Sequence, residues 1–315
     1  MLLTWIGFFV FVALLLFLDL FVLNKEDHVP RTREALLWTA MWTTIALSFS
    51  GFIYLAYRNG WVESDLGPKE AVITYLTGYL VELSLSMDNV FVIAVIFSYF
   101  KVPPKYQHRV LFWGILGAVF FRLAMILAGV YLLEQFDWMF YVFGLLLLYS
   151  AVQVLGQQED NDPSDNPIIK FVKRLVPVTG DYHGHNFFVQ IDGKRAATPL
   201  FITLVIVEIT DVVFAVDSIP AILGITTDSF LVFSSNILAI LGLRSLYFVL
   251  SSMIDKFEYL KYSLALILVF VGVKMLLHEV WHPADWVSLV VIFGLLAGGV
   301  LYSLTRPAPA AAPED

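Results

Sequence analysis

The sequence predicts an all-α, polytopic membrane protein of about nine transmembrane helices with two inverted three-helix repeats, and three observations carry that prediction. Apolar residues make up 59% of the 315-residue chain and charged residues only 15%, with mean hydropathy +0.79, far outside the usage of soluble globular domains. Apolar stretches of about 20 residues, the length of one helical crossing, recur from end to end. A pattern of Asp, Arg and Tyr in residues 71–156 returns in residues 199–280.

The first span, 2–23, has neither a basic start nor a small-residue cleavage site, so it reads as a retained helix rather than a signal peptide. With the second, at 35–57, it forms an N-terminal pair within residues 1–70. Spans at 71–100, 110–133 and 136–156 make the first three-helix unit. Residues 157–198 form a polar insertion whose opening, QQEDNDPSDNP, reads as loop. Its later stretch, FFVQIDGKRAAT, sets Asp192 and Gly193 between short runs as the tight turn of a hairpin. Spans at 199–223, 228–252 and 260–280 make the second unit, and residues 281–305 hold the last span at 284–305. The tail 306–315, RPAPAAAPED, is expected to be disordered.

Lys and Arg fall in alternate loops: Lys25, Arg31 and Arg33; Lys101, Lys105 and Arg109; Lys170, Lys173, Arg174, Lys194 and Arg195; Lys256 and Lys261; and Arg306. The other loops hold only Arg58 and Lys69. Cytoplasmic loops are enriched in basic residues, so the N-terminus is expected outside and the C-terminus and the 157–198 insertion in the cytoplasm, with a bacterial inner membrane as the location. The net charge of −8 is spread over loops and a buried cluster, and no basic patch invites nucleic acid. The absence of cysteine excludes disulfides, thiolate metal sites and thiol catalysis.

The repeat is visible residue by residue. DNVF at 88–91 matches DVVF at 211–214, WGILGAVFFRL around Arg122 matches SNILAILGLRS around Arg244, and YVFGLLLLYSAVQVL from Tyr141 matches YSLALILVFVGVKML from Tyr262. Asp88 precedes Arg122 by 34 positions and Asp211 precedes Arg244 by 33. Three spans per unit make the second copy enter from the opposite side of the membrane, the arrangement in which transporters place substrate at the midplane.

Glu82 and Asp88 in the first unit, and Glu208, Asp211 and Asp217 in the second, lie inside apolar segments. Each costs about 2.5–3.5 kcal/mol at a helix centre even on the mildest insertion scale, so a cation is expected to offset them. At about 100° per residue, Glu82, Ser86 and Asn89 share a stripe from which Ser84 and Asp88 point away. Glu208 and Asp211 share another, continued by Ala215 and Ser218, with Asp217 roughly opposite Glu208. Either two neighbouring sites exist or the helix is interrupted, and Pro220 favours an interruption that would free carbonyl oxygens near Val216 and Asp217.

Chemistry narrows the ion. His28, His108, His183, His185 and His282 fall in loops and His278 at an outer span end, so the midplane offers oxygen, which suits Mn, Mg and Ca. Met87 and Met125 add thioethers that tilt the choice toward manganese. Expected ligands are Asp88, Asp211 and Asp217 first, then Glu82 and Glu208 as ligands or proton acceptors, with Asn89 and Ser218 completing the shell. Arg122 and Arg244 are gating or charge-pairing partners, because a cation repels a cation. The five acids and two arginines total −3 if all are ionised. A site that holds a divalent cation and protons alternately is the expected chemistry of a proton-coupled exporter, since burial penalises bare carboxylates. Lys274 is expected to snorkel outward or pair with an acid, and Asp19 to be an interface residue rather than a ligand.

At these residues the chain resembles the TerC family of integral membrane proteins, named for tellurium resistance and including Alx-type manganese exporters. The resemblance covers roughly residues 70–280 and rests on ELSLSMDNVFV, PVTGDYHGHNFF, ATPLF, VEITDVVFAVDSIPAI and SNILAILGLRSLYF in combination. It implies that Glu82, Asp88, Glu208, Asp211 and Asp217 are the family's intramembrane acidic motifs, that Asn89 completes its DN pair, and that the function is manganese efflux. The expected protein is therefore a divalent-cation exporter, most plainly for Mn²⁺, working by alternating access in the lipid bilayer. Its substrate is the cation, protons are the counter-ion, no cofactor is bound permanently, and no enzyme activity is expected. The alternative is a membrane scaffold in a metal or tellurium stress-resistance complex, its acids serving packing and its cytoplasmic insertion docking a partner. An intramembrane metallohydrolase lacks both an HExxH-type pair and a nucleophile beside a base.

Overall fold

The computed structural model describes residues 2–19, 32–156, 179, 182–191, 194–251, 260–281 and 283–305. Among them lie α1 (Leu2–Leu18), α2 (Thr32–Arg58), α3 (Pro68–Tyr99), α4 (Pro104–Gln135), α5 (Met139–Gly156), the strands β1 (Phe188–Ile191) and β2 (Lys194–Ala197), α6 (Pro199–Leu223), α7 (Ser229–Leu241), α8 (Leu243–Ser251), α9 (Leu260–Leu276) and α10 (Asp285–Thr305). A helix lies in each segment read as a span. By length and apolarity alone, five described helices are fit to cross a membrane, namely α2, α3, α4, α6 and α10, or six if the bent pair α7–α8 is one span. α1 and α5 are apolar but shorter. The tail 306–315 and the first part of the insertion lie outside the described residues.

Prolines open three helices, and two of these, α3 and α4, begin earlier than hydropathy marks. Pro68, Pro104 and Pro199 each occupy a first-turn position, where a missing N–H is no loss. Before Pro68, the Gly67 N–H donates to Glu70 Oε2 at 3.0 Å, fixing the start of α3. At α7, Asp228 accepts from the Phe230 and Leu231 amides at 3.0 and 3.2 Å, and Tyr57 of α2 donates to its other oxygen at 2.8 Å.

The expectation of a break near Pro220 is corrected. α6 runs unbroken through Pro220 to Leu223. A proline in the last turn removes only the donor for the carbonyl four residues back, where the ladder is ending anyway. The break falls instead in the seventh span, where α7 and α8 meet at 44° on Gly242. The Gly242 N–H turns back to the Ala239 carbonyl at 3.2 Å, three residues away rather than four, and glycine tolerates the altered turn.

Packing is reciprocal between the two units: α3 lies on α7, α4 on α6, and α5 on α9. α4 and α6 run parallel, since a Cβ at Gly114 would meet Val207, one at Gly117 would meet Glu208, and one at Gly129 would meet Ile219 and Leu223. The α5–α9 crossing is closest at Gly144, whose added Cβ would stand 3.0 Å from the Gly272 carbonyl oxygen. α1 and α2 cover the outside of α7 through Phe8, Phe49, Phe230 and Phe233, whose rings pack edge-on or tilted.

β1 and β2 pair antiparallel, with Ile191 opposite Lys194, which frames the predicted hairpin; its turn residues lie outside the described set. The segment leading into the hairpin rests on the ends of α3 and α4. Tyr182 donates to the Phe100 carbonyl at 2.7 Å, and the Arg109 guanidinium stands 5.2 Å above the Phe187 ring.

Candidate functional site

Where α3, α4, α6 and α7 meet, one side chain gathers four helices. Arg122 of α4 is fully buried and is the largest side chain so enclosed. Its Nε and Nη2 donate to the two oxygens of Asp211 on α6 at 3.2 and 2.9 Å, a bidentate fork. Its Nη1 donates to Glu82 Oε1 on α3, and reaches Ser218 Oγ on α6 and Asn236 Oδ1 on α7, both at 3.3 Å. Asn236 returns a bond from Nδ2 to Glu82 Oε2 at 2.8 Å, and Ser86 donates to Glu82 Oε1 at 3.1 Å. Glu82 is 0% exposed, so both its oxygens are satisfied entirely by protein donors.

Local sequence explains the convergence. Glu82 and Ser86 are four residues apart on α3 and so share its face. On α6, Asp211 and Ser218 are seven apart, two turns along one stripe. The apolar residues flanking each of them bury the same face against neighbouring helices.

The remaining acids divide. Glu208, one turn before Asp211, lies against α4 in the notch left by Gly117, and its Oε2 is buried with no hydrogen-bond partner. Asp217 turns to the other side of α6 and accepts from Ser150 of α5 at 2.6 Å. Asn89 is buried on α3, outside the Arg122 network. Asp88 lies within α3, and its side chain lies outside the described set. Among the described residues no three of His, Asp and Glu stand together in a metal-ligating group. The candidate ligands thus fall into a centre at Arg122, with Glu82, Asp211 and Ser218; an adjoining carboxylate, Glu208; and a separate pair, Asp217 with Ser150.

The repeat's second arginine has a different partner. Arg244, at the start of α8 just beyond the Gly242 bend, donates from Nη2 to Asp19 at the end of α1. Asp19 is only 3% exposed, which corrects its reading as an interface residue: a buried guanidinium holds it. Lys274 donates to Ser288 of α10 at 3.4 Å.

Three contributors escaped the sequence reading: Asn236, Ser150 and the notch at Gly117. Asn236 does carry a signal, an amide at the centre of the apolar run SSNILAIL, and it aligns with Gly114 in the repeat. A lone serine or glycine in a span carries none, because both are ordinary packing residues there.

Chemically, the centre is an all-oxygen cradle around a cation. Two carboxylates, an amide oxygen and a hydroxyl face one guanidinium in a largely buried space, with Asp211 partly exposed. Separating such a pair by removing one partner costs about 3–5 kcal/mol, because a buried charge is left uncompensated.

Comparison with known proteins follows the same residues. The family profile described as "Integral membrane protein TerC family" matches residues 68–309. The chain is 45% identical over 303 residues, 96% of its length and 92% of the relative's, to "Uncharacterized membrane protein STKORF319" of Myxococcus xanthus. It is 43% identical over 298 residues, 93% of its length and 92% of the relative's, to "Putative membrane-bound redox modulator Alx" of Escherichia coli (strain K12). An "Uncharacterized membrane protein" of Rickettsia bellii is 40% identical over 304 residues, 96% of this chain and 97% of that one. No solved structure matches the chain.

Proposed function

This chain belongs to the TerC family of integral membrane proteins, and on that premise we propose that it exports a divalent cation, Mn²⁺ first among candidates, by alternating access. The observation that carries the reading is the meeting of Glu82 and Asp211. They come from different three-helix units, yet both address one enclosed point between α3, α4, α6 and α7. Their oxygens, with Asn236 and Ser218, form a donor set suited to hard divalent ions. The reciprocal packing of α3 on α7, α4 on α6 and α5 on α9 supports two units related by an inverted repeat, between which such a centre would open to each side in turn.

Proton coupling is part of the proposal, since carboxylates that release a cation in a dry site are poorly tolerated as anions. The redox modulation in the Alx relatives' name fits the same chemistry. With no cysteine in this chain, a redox effect here would run through metal content rather than thiols.

The experiment is twofold. Cells with and without the protein are compared for Mn, Mg, Ca and Zn content, and purified protein in liposomes is tested for cation flux with and without a pH gradient. Flux of Mn²⁺ that responds to the gradient is the expected result. Unchanged metal content together with silent liposomes sinks the exporter reading, and flux indifferent to pH sinks the coupling. One observation favours the scaffold reading instead: Arg122 already pairs with both Glu82 and Asp211, as a packing device would. The two readings separate on Ser218→Ala, which leaves the ion pair intact but removes an oxygen from the centre: it lowers metal tolerance in an exporter and leaves a folded scaffold functional.

A further inference from the structure

We infer that Arg122 is a tethered stand-in for the transported cation: its guanidinium fills the ion's own oxygen cradle and withdraws toward Glu208 when the ion enters. This rests on the exporter reading above. A guanidinium used only for packing needs its own charge matched. Here it gathers both Asp211 oxygens, Glu82 Oε1, the Asn236 amide oxygen and the Ser218 hydroxyl, drawn from three other helices. Amide and hydroxyl oxygens add nothing to charge balance, but they are the neutral donors that complete the shell of a hard divalent ion.

Glu208 offers the arginine a destination. Glu208 lies one helical turn before Asp211, a rise of about 4.5 Å. Its Oε2 is buried and unpartnered, and its carboxylate faces α4 at Gly117, on the helix that carries Arg122. In the inferred exchange the side chain of Arg122 trades Asp211 for Glu208 by rotamer change while its backbone stays in place. Glu82, Asp211, Asn236 and Ser218 are then left to the ion. The cradle is never empty of positive charge, which answers why two buried carboxylates persist in a membrane between transport events.

A binding site blocked by its own arginine shows an apparent affinity reduced by the fraction of open molecules, so a site about 1% open binds about a hundredfold more weakly than its intrinsic strength. Wild type, Arg122→Ala and Arg122→Lys are purified in detergent and Mn²⁺ binding is measured by equilibrium dialysis. Arg122→Ala is expected to bind Mn²⁺ at least about tenfold more tightly than wild type and to lose it to free guanidinium, while Arg122→Lys, which keeps a cation in place, stays near wild type. A folded Arg122→Ala whose Mn²⁺ affinity is unchanged or weaker overturns the inference, because a purely structural arginine predicts no gain. Should Arg122→Ala fail to fold in buffer, purification is repeated with Mn²⁺ or guanidinium present; recovery of monodisperse protein by Mn²⁺ supports the inference, and recovery by guanidinium alone or by neither overturns it. Glu208→Gln is expected to weaken Mn²⁺ binding in the wild-type background only. Equal weakening in the Arg122→Ala background makes Glu208 a direct ligand and removes it as the destination. Flux by wild-type liposomes is a separate measurement: flux without the affinity gain rejects the role of Arg122 alone, and no flux of any divalent ion rejects the exporter reading beneath it.

Discussion

Gly117→Ala separates what the fold needs from what the proposed site needs. A Cβ built on Gly117 would stand 2.1 Å from Glu208 Oε1 and 2.2 Å from Oε2, so the carboxylate and a methyl group cannot share the space. The atoms displaced are the far end of a flexible side chain, so relief is cheap. Driving Glu208 off its rotamer costs about 0.5–1.5 kcal/mol. Replacing glycine by alanine inside a helix returns about 0.5–1 kcal/mol. The two nearly cancel, and the thermal midpoint in detergent is expected to stay within a few degrees of wild type. Function is expected to respond differently, because Glu208 loses its position against α4. A carboxylate misplaced by about 1 Å or more can cost on the order of a hundredfold in a positioned reaction, so Mn²⁺ flux in liposomes should fall at least tenfold. Full flux by a folded Gly117→Ala would show that Glu208 need not sit in this notch. A midpoint collapse instead would show the notch to be a packing requirement, and either result refutes the reasoning.

Other substitutions test the frame around the site. Asn236→Leu strips Glu82 Oε2 of its donor, and leaving that buried oxygen unsatisfied is expected to cost about 1–3 kcal/mol in chemical denaturation, with loss of Mn²⁺ binding. Gly144→Ala, unlike Gly117→Ala, forces a methyl toward the Gly272 carbonyl at 3.0 Å and Leu276 at 2.9 Å; overpacking at this backbone crossing is expected to cost about 1–3 kcal/mol and to lower the melting midpoint visibly. Tyr57→Phe removes the bond to Asp228 while the carboxylate still caps α7, so a loss of about 1–2 kcal/mol without loss of flux is expected from paired melting and transport measurements. Asp211→Asn leaves Arg122 with Glu82 as its countercharge but removes the two-point fork, so a loss of about 1.5–3 kcal/mol by melting, with metal tolerance abolished, is expected.

Helix existence was legible wherever apolar length carried it. Boundaries were less so, since Pro68 and Pro104 extend helices into polar sequence that hydropathy excludes. Pro220 misled because a proline's effect depends on how many turns follow it, and here there is less than one. The bend at Gly242 carried no signal distinct from the many glycines of these spans. Helical phase correctly separated Asp217 from Glu208, which face α5 and α4 respectively. The same phase reasoning could not see that Glu82 and Asp211 meet, because periodicity orders residues around one axis and says nothing of the next helix.

By itself, then, the sequence determined that this chain is a helical membrane protein of the TerC family and that its spans hold carboxylates and arginines in repeated positions. Those are properties of local pattern: apolar runs, turn residues and recurring motifs. Only the tertiary structure decided which charges belong together. Arg122 takes Glu82 and Asp211, and Arg244 takes Asp19. The physical reason is that pairing energy depends on distance in space and on burial, and both are set by the packing of helices that lie up to 225 positions apart along the chain.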